Sequence, residues 1–160
     1  MRHNFFKALF FLSFFLGLGS HGWAADKPYD EHANGEQMLA QAFSQARAEH
    51  KQVMVVFGAN WCPDCRMLDT ILHAPEASAI AQRFVVVKLD VGSFDKNLSI
   101  ARHFDVNLGK GIPAVALADA DESLRFATRA GELAEAKSMG AAAVVKYLSD
   151  AAAASVPVKN

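Results

Sequence analysis

The sequence predicts an α/β fold: a central mixed four-stranded sheet flanked by helices, with a further helix at its N-terminal side. Three observations carry this. Two short apolar runs rich in β-branched residues, at 53–57 (Val-Met-Val-Val-Phe) and 84–91 (Phe-Val-Val-Val-Lys-Leu-Asp-Val), alternate with segments of helical periodicity. Two later runs, 113–118 and 123–128, are joined by the turn-forming cluster 119–122 and read as a hairpin. The chain's only cysteines, Cys62 and Cys65, fall where the first strand hands over to a helix.

At 160 residues the chain has room for one domain and a targeting segment. Its apolar fraction of 52% suffices for a packed core, and its net charge of −1 is evenly interspersed. Nothing resembles the basic footprint of a nucleic-acid binder. Two cysteines are too few for a disulfide-stapled scaffold. The histidines (His3, His21, His32, His50, His73 and His103) form no close pair with one another or with the cysteines, so no metal site is expected.

Residues 1–24 have the layout of a secretory signal peptide. Arg2, His3 and Lys7 make a basic start, 8–19 is an apolar run, and Gly22 and Ala24 stand at −3 and −1 if cleavage follows Ala24. The run is short for a membrane span, which needs about 20 residues. An uncleaved anchor is the competing expectation. Export implies an oxidising compartment, of which a bacterial periplasm is the simplest match.

The expected domain covers 35–154, behind a polar tether at 25–34 and ahead of a frayed tail at 155–160. Within 36–50, Met38, Leu39, Ala42, Phe43 and Ala46 recur at helical spacing. The run 53–57 suits a strand covered on both faces. Beyond the cysteines, 66–73 carries Met67, Leu68, Ile71 and Leu72 on one side of a helix, Pro75 breaks it, and 76–84 reads as a second helical piece. The strand 84–91 ends at Gly92, and a short helix is expected over 97–104. A loop at 105–111 precedes the hairpin. The stretch 131–140 reads as irregular, and 141–154 as a closing amphipathic helix. Helices between the early strands imply parallel crossovers, and the hairpin adds an antiparallel edge.

The cysteine spacing has a chemical meaning. A thiolate is the attacking species in disulfide exchange. A helix N-terminus helps form it through unpaired N–H groups and the positive end of the dipole. Cys62 sits where the helix begins, Pro63 suits its first turn, and Cys65 lies one turn on. Cys62 is therefore the expected nucleophile and Cys65 the more buried, resolving thiol. Asp64 places a negative charge near the reactive sulfur, which disfavours the thiolate and makes the pair a better reductant. A purely structural bridge between residues three apart closes too small a loop to stabilise much.

With Trp61-Cys62-Pro63-Asp64-Cys65 behind a strand, and Gly111-Ile112-Pro113 opening a later one, the chain resembles the thioredoxin superfamily over roughly 36–148. Within it the exported thioredoxin-like proteins and the C-terminal domain of the transmembrane thiol reductase are nearer than the cytosolic reductant. The resemblance implies that Pro113 is cis and faces the disulfide, and that Ile112 and Pro113 form a peptide-binding groove beside Cys62. Lys88 matches a family lysine beneath the active site. In the family that lysine pairs with a buried aspartate six residues before the first cysteine, which takes a proton from the resolving thiol. Here that position is Val56. The proton of Cys65 must then pass to water, to neutral Lys88 or to a nearby carboxylate such as Asp64. Equally, Lys88 snorkels to solvent. The stretch 131–140 is longer than the matching loop of ordinary thioredoxin.

The resemblance implies an exported thiol–disulfide oxidoreductase with no cofactor beyond the Cys62–Cys65 disulfide. Its expected partners are proteins with disulfides and, as electron donor, a membrane thiol reductase, with no nucleic acid and no membrane contact except through a retained leader. The reducing direction is expected from Asp64. Alternatives are an oxidase or isomerase of secreted proteins, and a non-catalytic binding module or metal chaperone, to which Val56 gives weight. Trp23 leaves with the leader. Trp61 either covers the thiols or joins the core. His73, His103 and Phe94 carry no marking spacing and are read as surface or core. Arg66 either offsets Asp64 or lies on a solvated helix face.

Overall fold

The structure, a computed structural model, describes residues 27–154; the expected leader, Trp23 and the tail lie outside the described residues. The elements are α1 (Gly35–Glu49), β1 (Gln52–Gly58), α2 (Pro63–Leu72), α3 (Ser78–Arg83), β2 (Phe84–Asp90), α4 (Leu98–His103), β3 (Ala114–Ala118), β4 (Leu124–Ala127), α5 (Ala136–Met139) and α6 (Ala141–Ala154). Short 3₁₀ turns at Pro75–Ala77 and Leu108–Lys110 join them.

Local chemistry sets the boundaries. The Asn34 side chain accepts a hydrogen bond from the Gln37 N–H and starts α1. His50, left-handed at φ 54°, ends it and returns its N–H to the Ala46 carbonyl. The buried stripe Leu39, Ala42, Phe43 and Ala46 is the one the periodicity marks. Pro75 ends α2 and starts the next turn, because proline fits the first helical position and not the interior.

The sheet order is β2-β1-β3-β4, with β1 parallel to β2 and antiparallel to β3. The parallel crossover expected between the first two strands is present. The third strand departs from that expectation and runs antiparallel to β1. The reason lies in where the chain enters. It leaves β2 at Asp90, opposite Gly58, and re-enters the sheet at Ala114, opposite Phe57, at the same end of β1. The intervening α4 has six residues and spans about 9 Å, too short to carry the chain back along the sheet. The two pieces α2 and α3 do make that return before β2.

Two segments read as irregular are built into the body. Residues 27–34 form a loop, yet Tyr29 is 1% exposed and belongs to the core. Its ring lies on Gly58, where a Cβ would overlap the phenol oxygen, so only glycine fits at that point of β1. The stretch 131–140 includes the single turn α5, with Leu133 and Ala136 fully buried. Four helical residues between Gly131 and Gly140 give no readable periodicity, which is why the sequence conceals them.

The Tyr29 hydroxyl is buried and finds no hydrogen-bond partner among the described residues. Burial, and then the Asp69 and Asp90 carboxylates, raise its pKa. Tyr29→Phe removes an unpaired polar atom and is expected to stabilise the fold by about 1 kcal/mol, read as a higher urea midpoint at unchanged slope. The sign with pH follows from the raised pKa. Stability is intact below the unfolded tyrosine value near pH 10 and is lost as pH rises beyond it. Tyr147, raised to about 12 by burial and then Glu132, acts with the same sign. The alkaline loss in Tyr29→Phe should therefore be shallower than in the wild type but not abolished; an unchanged alkaline limb would contradict the placement of Tyr29.

Candidate active site

β1 delivers the redox pair. After Gly58 a tight turn returns the Cys62 N–H to the Ala59 carbonyl at 3.1 Å. Cys62 has extended backbone angles (φ −83°, ψ 115°) and is the N-cap of α2; its Sγ accepts the Cys65 N–H at 3.1 Å. A sulfur thus occupies the place a serine or aspartate oxygen usually takes at a helix start. Pro63 opens the helix, where a missing N–H is no loss. Cys62 and Cys65 form a disulfide with Cα atoms 5.3 Å apart. Cys65 is fully buried and Cys62 is 3% exposed, the order expected.

Pairing of Phe57 with Ala114 brings the residues just before β3 to the same end of the sheet. The Ile112–Pro113 bond is cis, and the Ile112 carbonyl oxygen lies 3.6 Å from Cys62 Sγ. Ile112 and Pro113 are both buried, so backbone of this turn faces the disulfide.

Lys88 does not end free in solvent. Its Nζ lies 2.5 Å from Asp69 Oδ1, and the Asp69 residue is 6% exposed. The lysine sits opposite Val56 in the β1–β2 register, but its carboxylate comes from α2. His73 joins the group, with Nδ1 2.8 Å from the Asp69 carbonyl oxygen and 3.6 Å from Oδ1. A surface depression lined by Pro28, Asp69, Thr70, His73, Ala74 and Lys88 opens onto the pair. Sequence reading missed Asp69 because it sits among the apolar positions of α2. The signal was there: a lone acid at i+4 from Cys65, on the face carrying Cys65 and Leu68.

Asp64 stands in the first turn of α2, where it accepts the Lys137 N–H at 2.9 Å and so fastens α5 beside the cysteines. Arg66 lies exposed on the opposite side. Trp61 is 57% exposed, so the core reading fails. Its indole N–H donates to the Gly92 carbonyl at 2.8 Å, and its ring meets the exposed Phe94 edge-on at 5.9 Å. Phe94 holds φ at 64°, uncommon for a bulky residue. The sequence leaves Phe94 unmarked because only the tertiary turn after β2 brings it to Trp61. His103 stacks edge-on against Phe104.

Residues 34–120 match a family described as Thioredoxin-like. The chain belongs to the thioredoxin-like family. A disulphide isomerase from Xylella fastidiosa Temecula1 of known crystal structure is 38% identical, with a TM-score of 0.73 over 79% of this chain and 98% of that one. Protein disulfide isomerase-like 1-4 of Oryza sativa subsp. japonica is 33% identical over 97 residues, 59% of this chain. The chain spans 16% of the length of that relative. With its Cys-x-x-Cys disulfide the protein is a thioredoxin-like thiol–disulfide oxidoreductase.

Two features shape the surroundings of the pair. Lys88, which meets no carboxylate at Val56, pairs with Asp69 of α2 instead, a nearby carboxylate that the sequence reading left open. The N-terminal loop is also pinned to the site. Asn60 Oδ1 accepts the Tyr29 N–H at 3.1 Å, and its Nδ2 donates to the Tyr29 carbonyl and to Glu31 Oε1, each at 2.8 Å. That side-chain bond, followed by Lys27, holds the exposed Glu31 carboxyl below its usual range. Asn60→Ala removes all three bonds at once. It is expected to cost about 1–3 kcal/mol and to bring the Tyr29 amide into fast hydrogen exchange while amides of β1 stay protected. Retained protection at Tyr29 would show that apolar packing alone holds the loop.

Proposed function

We propose that the protein is an exported reductase of disulfides in other proteins. The observation that carries this is Asp64 in the first turn of α2, between the two cysteines in the chain and at the positive helix end. Its charge opposes the help the dipole gives the Cys62 thiolate, and a thiolate less stabilised in the dithiol form leaves the pair more reducing. Cys62 attacks a substrate disulfide and releases one substrate thiolate. Cys65 then attacks Cys62 Sγ, releases the second and restores the Cys62–Cys65 bond. Two electrons pass from the dithiol to the substrate. The Ile112–Pro113 turn lines the edge along which an extended substrate lies, and Trp61 flanks its other side. The leader-like layout of residues 1–24 supports export to an oxidising compartment such as a periplasm, where a membrane thiol reductase re-reduces the pair.

A second reading, isomerase, is favoured by the names of the two relatives, both isomerases or isomerase-like. Isomerisation needs the same reduced Cys62 and differs in whether substrate disulfides are reshuffled or simply opened.

Equilibration of the pair with glutathione separates the directions. A potential near the thioredoxin value of about −270 mV supports the reductase, one near about −180 mV the isomerase, and one near about −120 mV an oxidase. Asp64→Asn removes the opposing charge, favours the reduced form and should raise the potential by up to about 30 mV, a tenfold change in the equilibrium constant. A potential unmoved by that substitution would remove the argument for the reducing direction.

A further inference from the structure

We propose that Phe94, set edge-on against Trp61, is a specificity-determining contact that favours protein substrates carrying a large apolar side chain two residues from the reactive cysteine. The proposal rests on the oxidoreductase reading of the cysteine pair and adds to it the class of sequence that the site selects.

Among the described residues, the exposed large apolar side chains are Trp61 and Phe94, at 57% and 42%. They meet each other, with ring centroids 5.9 Å apart. Trp61 immediately precedes Cys62, so the two rings stand beside the disulfide. A phenylalanine left in water contributes little to folding. This one also holds a left-handed φ of 64°, where a bulky side chain is crowded. Such a conformation persists only where its surroundings enforce it.

The turn after β2 does enforce it. The Val91 carbonyl accepts the N–H groups of Asp95 at 3.1 Å and Lys96 at 3.3 Å. Asp95 Oδ1 accepts the Ser93 N–H at 2.9 Å, and the Asp90 carbonyl accepts Asn97 Nδ2 at 2.7 Å. The Gly92 carbonyl accepts the Trp61 indole N–H at 2.8 Å, so one turn fixes both rings. Its cation is engaged elsewhere: Lys96 Nζ donates to the Glu31 carbonyl at 2.8 Å and to Asp90 Oδ2 at 3.1 Å. What the turn offers next to Cys62 is an apolar pad.

The size of the pad decides its occupant. Half-exposed, the two rings present on the order of 200 Å². A stable interface with a second copy of this chain would bury about 800 Å² on each partner. The pad instead matches one large side chain. In an extended segment, residues two apart point the same way and lie about 7 Å from each other. A substrate whose cysteine is bonded to Cys62 Sγ therefore turns the side chain two positions along toward the same surface, within reach of the rings beside Cys62.

The test uses the full chain, reduced with dithiothreitol, freed of it and mixed in excess with symmetrical disulfides of short peptides. The peptides hold Phe two residues before the cysteine, Phe two residues after it, or Ser at both places. The dithiol is oxidised to the Cys62–Cys65 disulfide as each peptide disulfide is reduced to two thiols, so loss of peptide disulfide in acid-quenched samples gives the single-turnover rate. The wild type is expected to reduce at least one Phe peptide about 10-fold faster than the Ser peptide. In Phe94→Ala that ratio falls to about 2-fold or less, and in Phe94→Leu, which keeps apolar bulk, most of it survives. Phe94→Gly fits the left-handed turn without strain and loses the ratio as Phe94→Ala does, which also covers a failure of Phe94→Ala to fold. Each ratio is internal to one variant, so a general slowing from a distorted site leaves it unmoved. Equal rates on all three peptides by the wild type, or a ratio retained in both Phe94→Ala and Phe94→Gly, overturn the proposal. A dimer in sedimentation that dissociates in Phe94→Ala assigns the pad to a second copy and overturns it too. A wild type that reduces none of the peptides and no dithiobis-nitrobenzoate defeats the oxidoreductase reading itself, whereas equal rates defeat the proposal alone.

Discussion

The structure depends on β1 being paired on both edges and covered on both faces. Val53 to Phe57 are each at most 1% exposed, and the strand is hydrogen-bonded to β2 on one side and β3 on the other. Everything chemical gathers at its C-terminal end. The Gly58 carbonyl takes the Val91 N–H at 2.8 Å and fixes where β2 stops. Phe57 opposite Ala114 fixes where β3 starts and so brings Pro113 to the disulfide. The turn after Gly58 leads directly into the N-cap at Cys62. A slip of one residue in either pairing would invert the faces of the strand and carry the Pro113 turn away from the sulfur.

That same burial bears on where an acid can be placed. A carboxylate on β1 at Val56 would be enclosed by strands on both sides and would rely wholly on Lys88. On α2 the carboxylate keeps the lysine, gains His73 and borders a depression open to water. Breaking a buried pair by removing one partner costs about 3–5 kcal/mol, so Lys88 and Asp69 constrain each other wherever the acid sits. Here the ion pair ties strand β2 to helix α2.

Much of this was legible. The strands 53–57 and 84–91 stand out because full burial makes them continuous apolar runs. Cys62, Cys65 and Pro63 stand out because their spacing matches a helix start. Pro113 was legible through the resemblance that Gly111-Ile112-Pro113 carries. What escaped the sequence depends on tertiary register. Asp69 looks like one polar residue in a helix until β2 places Lys88 over it. Phe94 looks like a loop residue until the turn at Gly92 meets Trp61. Tyr29 looks like part of a polar tether until Gly58 offers it a place without a Cβ. The direction of β3 follows from which end of the sheet the chain re-enters, and hydrophobic pattern is blind to that.

The N-terminal loop links these cases. Asn60, one residue before Trp61, holds Tyr29 through its backbone, and the Tyr29 hydroxyl lies near enough to Asp69 and Asp90 to feel both carboxylates. A phenol without a hydrogen bond is a poor choice for stability alone, since its desolvated oxygen opposes folding. It makes sense as a filler of the space that Gly58 leaves without a Cβ. The residue that fastens the ring, Asn60, is part of the turn that delivers Cys62. The N-terminal loop and the turn before the thiol are therefore tied together by a single side chain, Asn60.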